Sequence, residues 1–167
     1  MDSIKPIVLI MMGSDSDYDI MQETGNVLES FGVAYKMLIT SAHKTPIETV
    51  EYIRKYEDEG VEVFICGAGM AAHLAGVTAS YTLMPVIGVP LNSTSSTLGG
   101  IDALLSTLQM PGGIPVATMA IGKAGAKNAA IFAVQILAKK YPYLQSRLQE
   151  YRDGLRNDLA GKGKRLQ

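Results

Sequence analysis

A histidine stands in the segment Ser41-Ala42-His43-Lys44-Thr45-Pro46. The residues before it, 35–40, read as a strand, and Pro46 suits the first turn of a following helix. In open parallel α/β sheets, ligands bind beyond the carboxyl ends of the strands. An imidazole placed there can hold or release a proton near neutral pH. Ser41 and Lys44 beside it bring a hydroxyl and an ammonium, which suit a phosphorylated substrate. Two other strand ends carry small, polar, glycine-bearing loops, Gly13-Ser14-Asp15-Ser16-Asp17 and Gly67-Ala68-Gly69. The three loops together read as one composite site.

Each loop also has a plainer reading. The first places hydroxyls and backbone N–H groups at a helix N-terminus, which binds phosphate well. Ser and Asp are equally the preferred helix caps. It lacks the Gly-Lys-Ser/Thr ending of a Walker loop and is not Gly-x-Gly-x-x-Gly, so a dinucleotide site has no support. Its aspartates can accept hydrogen bonds from sugar hydroxyls. His43 can equally be an exposed turn histidine, and Lys44 a solvated charge. In the third segment, Gly67 and Gly69 let a flat ring lie against the backbone. His73, inside a run of small residues, reads more readily as a satisfied core histidine than as a site residue. His43 and His73 are the only histidines. No paired carboxylates complete a metal site around them, so metal-free and cofactor-free chemistry is expected.

The elements that must position these loops alternate along the chain. Strands are predicted over 6–12, 35–40, 61–66, 85–89 and 115–121. Helices are predicted over 16–31, 45–59, 69–81, 99–108, 127–140 and 142–158. Thr45 with Glu48 has capping-box spacing. The hydroxyl-rich stretch 92–97 serves as a lid or a linker. Lys123, Lys127 and Asn128 complete a polar wall or cap a helix. Alternating strands and helices argue for an α/β fold with a parallel sheet and right-handed crossovers. One domain over residues 1–160 is expected, its last helix an interface helix, with 161–167 a disordered tail.

Bulk properties narrow the function. Hydrophobic residues make up 47% of the 167-residue chain and charged residues 19%, with a mean hydropathy of +0.15. That is apolar for a monomer, and a buried interface between copies would account for it. Tyr141, Tyr143, Leu144, Leu148 and Tyr151 offer aromatic and aliphatic surface for such contacts. The net charge of −1 leaves no electrostatic footprint for nucleic acid. No apolar stretch approaches the ~20 residues of a membrane span, and no secretory signal pattern opens the chain. A cytoplasmic protein is the expectation. The lone Cys66 lies in an apolar run and reads as a buried structural thiol.

At these residues the chain resembles the catalytic subunit family of phosphoribosylaminoimidazole carboxylase, which includes the N5-carboxyaminoimidazole ribonucleotide mutases. The similarity covers residues 6–139. It rests on Met-Gly-Ser-Asp-Ser-Asp at 12–17, Ser-Ala-His-Lys-Thr-Pro at 41–46, and Gly-Ala-Gly at 67–69 with Ala-Ala-His-Leu at 71–74. Gln-Met-Pro at 109–111, Gly-Ile-Pro-Val at 113–116 and Ala-Ile-Gly-Lys-Ala-Gly at 120–125 complete it. One motif alone is weak; the ordered set is specific.

The resemblance implies a flavodoxin-like three-layer α/β/α sandwich with a central parallel sheet. It implies homo-octamers with active sites at subunit junctions. It makes His43 the proton-transfer residue. Ser14 and Asp17 would bind the nucleotide, Lys44 would contact it, and Ser41 would assist at the phosphate. Gly69, Ala71 and His73 would border the base and a carbon dioxide pocket. The implied reaction moves a carboxylate from the exocyclic nitrogen of a ribonucleotide to ring carbon C4, in purine (IMP) biosynthesis. Three residues depart from the bacterial pattern: Lys44 for arginine, Met70 for glycine and Ala75 for proline. A second class in the family carboxylates aminoimidazole ribonucleotide directly and often carries lysine after the histidine. It shows Ala-Gly-Arg-Ser-Asn where this chain has Ala-Gly-Met-Ala-Ala-His, and that segment lines the reacting centre, so the mutase is favoured. A non-catalytic nucleotide-binding module is the remaining alternative, since fold alone does not decide function.

Overall fold

In the computed structural model, residues 7–93 and 96–164 are described. The five strands are β1 (Val8–Met12), β2 (Tyr35–Ile39), β3 (Val63–Gly69), β4 (Val86–Leu91) and β5 (Ala117–Thr118). The six α-helices are α1 (Tyr18–Ser30), α2 (Pro46–Asp58), α3 (Leu74–Tyr81), α4 (Ile101–Leu108), α5 (Gly122–Leu137) and α6 (Tyr143–Lys164). All neighbouring strands pair in parallel, in the order β2-β1-β3-β4-β5. This is the flavodoxin-like order, and its crevice opens beyond β1 and β3.

Both faces of the sheet are covered, so β1 is apolar throughout and wholly buried. Side chains alternate across a strand. Val8, Ile10 and Met12 pack with residues of α1, α5 and α6. Leu9 and Met11 pack with residues of α2 and α3. Thr24 of α1 donates its hydroxyl to the Ala126 carbonyl of α5 at 2.9 Å, which locks that helix pair. Truncating a fully buried side chain such as Ile10 typically costs about 2–5 kcal/mol.

Several boundaries differ from the sequence reading. The predicted helix over 69–81 begins only at Leu74, because β3 continues to Gly69. Met70 then takes a left-handed φ of 54°, which breaks any helical path. The last strand shrinks to two residues at the sheet edge. Pro115 lacks the N–H that a longer ladder needs. The next helix starts at Gly122, ahead of the predicted residue 127. There the buried small residues Gly125 and Ala126 let it approach its neighbours closely. The final helix continues through Lys164, past the Gly161 expected to open a tail; residues 165–167 of that tail lie outside the described residues. So do Thr94 and Ser95 of the hydroxyl-rich stretch.

The segment leading into α6 is tied to the residue just before β3. Glu62 accepts hydrogen bonds from Lys140 Nζ at 2.7 Å and Tyr141 Oη at 2.6 Å. Burial pushes the Glu62 carboxyl up, but the two donors outweigh it and hold it below the usual carboxylate range. Among the described residues, no helix is long and apolar enough to cross a membrane.

Candidate active site

The loop after β1 folds as a single 3₁₀ turn, Asp15–Asp17. Ser14 caps it: its Oγ accepts the Ser16 N–H at 3.3 Å and donates to Asp15 Oδ1 at 3.0 Å. The capping reading of this loop is therefore realised, and Ser14 still lines the cleft. Ser14 and the Ser16 N–H hold the Asp15 carboxyl below its ordinary value, and the Lys44 charge acts in the same direction. Asp17 is 7% exposed. Burial pushes its carboxyl up, against the lowering effect of the Ser14 and Gly13 backbone.

The loop after β2 is built on hydroxyls. Thr40 Oγ1 lies 2.7 Å from Thr49 Oγ1 and 3.3 Å from Thr45 Oγ1. Thr45 sits just before α2, but its side chain does not cap that helix. Its Oγ1 turns back and accepts the Ser41 N–H at 2.9 Å. The capping box with Glu48 is thus replaced by a bond that closes the loop carrying His43. Ser41 Oγ in turn accepts the N–H groups of His43 at 3.4 Å and Lys44 at 3.2 Å. Pro46 occupies the first turn of α2, as predicted.

The β3 end supplies the third wall. A Cβ on Gly69 would stand 2.9 Å from Ser93 Cβ, so only glycine lets the two loops meet. Gly67 serves packing instead of a ligand: a Cβ there would collide with Met21 of α1. Met70 holds a left-handed φ of 54°, a conformation that costs residues other than glycine roughly 1–2 kcal/mol. His73 is exposed, not a core residue, and its Nδ1 lies 2.8 Å from His43 Nε2.

These loops enclose one cleft of about 390 Å³. Ser14, Asp17, Ser41, His43, Lys44, Gly69, Ala71 and His73, all singled out from sequence, line it together. Ser16 and Ser93 line it as well. Ser93 follows the carboxyl end of β4, so the strand-end rule that found the other loops reaches it too. Ala68 borders the cleft, whereas Ala72 is buried at 1% exposure and does not. Lys123 and Lys127 do not line it either. Each lies 3.5 Å from Glu23, joining α5 to α1. Cys66 is buried and donates to Thr78 Oγ1 at 3.4 Å. Burial pushes its thiol up to about 12, so it is an inert structural group.

Chemically, the cleft combines a hydrogen-bonded histidine pair, a cation, a buried carboxyl group and several hydroxyls around a small-residue floor. A family model described as AIR carboxylase matches residues 7–158. The N5-carboxyaminoimidazole ribonucleotide mutase of Pyrococcus horikoshii is 52% identical over 167 residues, covering 100% of this chain and 92% of that protein. The enzyme of the same name from Thermotoga maritima is 49% identical over 162 residues, covering 97% and 92%. The crystal structure of Treponema denticola PurE superposes with a TM-score of 0.86 at 28% identity, covering 97% of this chain and 99% of that one. By sequence and by fold, this chain belongs to the AIR carboxylase family.

Proposed function

We propose that this chain converts N5-carboxyaminoimidazole ribonucleotide into 4-carboxy-5-aminoimidazole ribonucleotide, a step of de novo purine (IMP) biosynthesis. The observation that carries this is near-50% identity, along almost the whole chain, to relatives named as that mutase. The cleft is consistent with it residue by residue.

Asp17 and Ser14 take the nucleotide's hydroxyls, and Lys44 with Ser41 takes its phosphate. Lys44 brings the charge without the planar fork of arginine, so it acts on phosphate as a point charge. Gly69, Ala71 and His73 border the base. The substrate's carbamate C–N bond breaks and releases carbon dioxide, while His43 gives a proton to the departing nitrogen. The electron-rich C4 then attacks the retained carbon dioxide, forming the new C–C bond. His43 finally takes the C4 proton, which restores both the aromatic ring and the histidine. One imidazole thus serves as acid and then as base.

Carbon dioxide must be kept from solvent between the two bond changes. The single chain leaves His43, Met70, Ala71 and His73 exposed at the mouth of the cleft. Apolar Ile39 and Ile47 stand exposed on the segments that flank the His43 loop, and Leu98, Ile101, Leu105 and Leu108 line an exposed face of and before α4. A second copy closing over the mouth supplies the dry wall, which is why we place the active unit in a homo-oligomer; the octamer is the assembly that the family resemblance implies. The cytoplasm is the location we propose, in keeping with relatives named for a free ribonucleotide substrate.

The test is a two-substrate assay on the purified protein. N5-carboxyaminoimidazole ribonucleotide should be converted without added bicarbonate. Product formed only from aminoimidazole ribonucleotide plus carbon dioxide would replace the mutase with a direct carboxylase. Nucleotide binding with no turnover of either would leave a binding module.

A further inference from the structure

The chain's two histidines come from different loops, yet their rings meet edge to face, with centroids 4.9 Å apart and an interplanar angle of 82°. His43 Nε2 and His73 Nδ1 are separated by 2.8 Å. At that distance the nitrogens cannot both carry protons or both present lone pairs, so one proton lies between them. We propose that His73 is a positioning residue: by accepting this hydrogen bond it keeps the proton of neutral His43 on Nε2 and leaves Nδ1 bare for the substrate. The proposal rests on the reading of His43 as the acid and base above.

The proton count supports this arrangement. His43 Nε2 is occupied by His73, so Nδ1 is the nitrogen left for chemistry. Before the reaction the pair holds one proton on His43 Nδ1, one in the shared bond and one on His73 Nε2, and carries one positive charge. Transfer of the Nδ1 proton to the departing nitrogen leaves a neutral pair, with His43 Nε2–H donating to His73 Nδ1. His43 Nδ1 is then ready to take the C4 proton, which returns the pair to its starting state. With the shared proton held by His73 instead, a neutral His43 would carry hydrogen on Nδ1 and could not act as base there. The partner of a catalytic imidazole commonly sets the tautomer in this way.

Histidine Nδ1 and asparagine Oδ1 occupy nearly the same place relative to the backbone. His73→Asn therefore keeps an acceptor for His43, whereas His73→Leu removes it. We expect His73→Leu to lower kcat on the order of 10²-fold, the low end for lost acid–base catalysis, with KM little changed, and His73→Asn to recover most of the loss. Equal losses in both variants, or a change confined to KM, would reduce His73 to a wall of the cleft. A second readout needs no turnover. With only two histidines in the chain, ¹⁵N-histidine labelling gives two ring systems, and long-range ¹H–¹⁵N correlation above neutral pH reads which nitrogen is protonated. The expected result is His43 protonated at Nε2, with that nitrogen's shift changed by His73→Leu. A proton on His43 Nδ1, or a His43 spectrum indifferent to His73→Leu, would overturn the proposal. Inactivity of the wild type with the pair intact would instead fault the mutase reading.

Discussion

The backbone N–H of Lys44 donates to the side-chain oxygen of Ser41 at 3.2 Å. The loop is therefore held by the Lys44 main chain, and the Lys44 side chain is free to be changed without unmaking it. Lys44→Ala should raise KM, because it removes binding common to substrate and transition state, and should leave kcat nearly unchanged. Lys44→Arg keeps the positive charge at that position and should stay active. Steady-state kinetics on both variants checks this. A collapse of kcat at constant KM in Lys44→Ala would move Lys44 from holding the substrate to the chemistry itself.

His43→Asn should fold and bind nucleotide but lose turnover by ~10²-fold to 10⁴-fold, the usual worth of acid–base catalysis. The His43 backbone bond to Ser41 survives the substitution, so the loop persists. The measurement is single-turnover product formation, with circular dichroism to establish folding. Near wild-type turnover would remove His43 from the mechanism.

Asp17→Asn should weaken nucleotide binding while the fold gains or holds stability at neutral pH. The sign follows from burial. The folded carboxyl titrates above its ordinary value, which is about 3.9 in model peptides. Over the window between those values the folded state binds more protons than the unfolded chain, so stability falls as pH rises through it. At neutral pH the ionised, buried group is a net cost that asparagine removes. Melting temperatures from acid to neutral pH should show a shallower decline for the variant. A lower neutral-pH melting temperature would mean that the Gly13 and Ser14 backbone stabilises the carboxylate more than burial penalises it.

Deleting residues 155–167 should lower the assembly size and leave each subunit folded. The first half of α6 belongs to the subunit's own core. Leu144 is 1% exposed, and the Tyr151 ring packs on Phe31 with centroids 5.5 Å apart. The outer half carries Leu155 and Leu159 into solvent. A cut before Tyr141 would also remove one of the two Glu62 partners and open the core, so it would confound folding with assembly. Light scattering on the shorter deletion is the check. An unchanged particle mass would mean that the outer half of α6 takes no part in the interface.

The fold was largely legible, because each strand is a short apolar run and each βα boundary carries a turn signal. The cleft followed from the strand-end rule, which needs no side-chain geometry. What escaped depended on contacts between distant residues. The bond between His43 and His73 spans 30 positions. It exists because β2 and β3 both flank β1 and bring their loops together. Thr45 looked like a cap because the local pattern fits one, but the Ser41 N–H competes for its oxygen. Gly67 looked ligand-facing, and only the position of Met21 shows that it makes room for a helix.

Carboxylate transfer within one enclosed cleft is tested most directly with N5-carboxyaminoimidazole ribonucleotide carrying ¹³C in its carbamate, in unlabelled bicarbonate buffer. If the carbon dioxide released beside His43 stays in the cleft until C4 attacks it, the label appears undiluted in the new C4 carboxylate, read by mass spectrometry at low conversion. A product whose label matches the bicarbonate pool would mean that carbon dioxide leaves the protein, and that the cleft carboxylates a free substrate instead of moving one carboxylate across it.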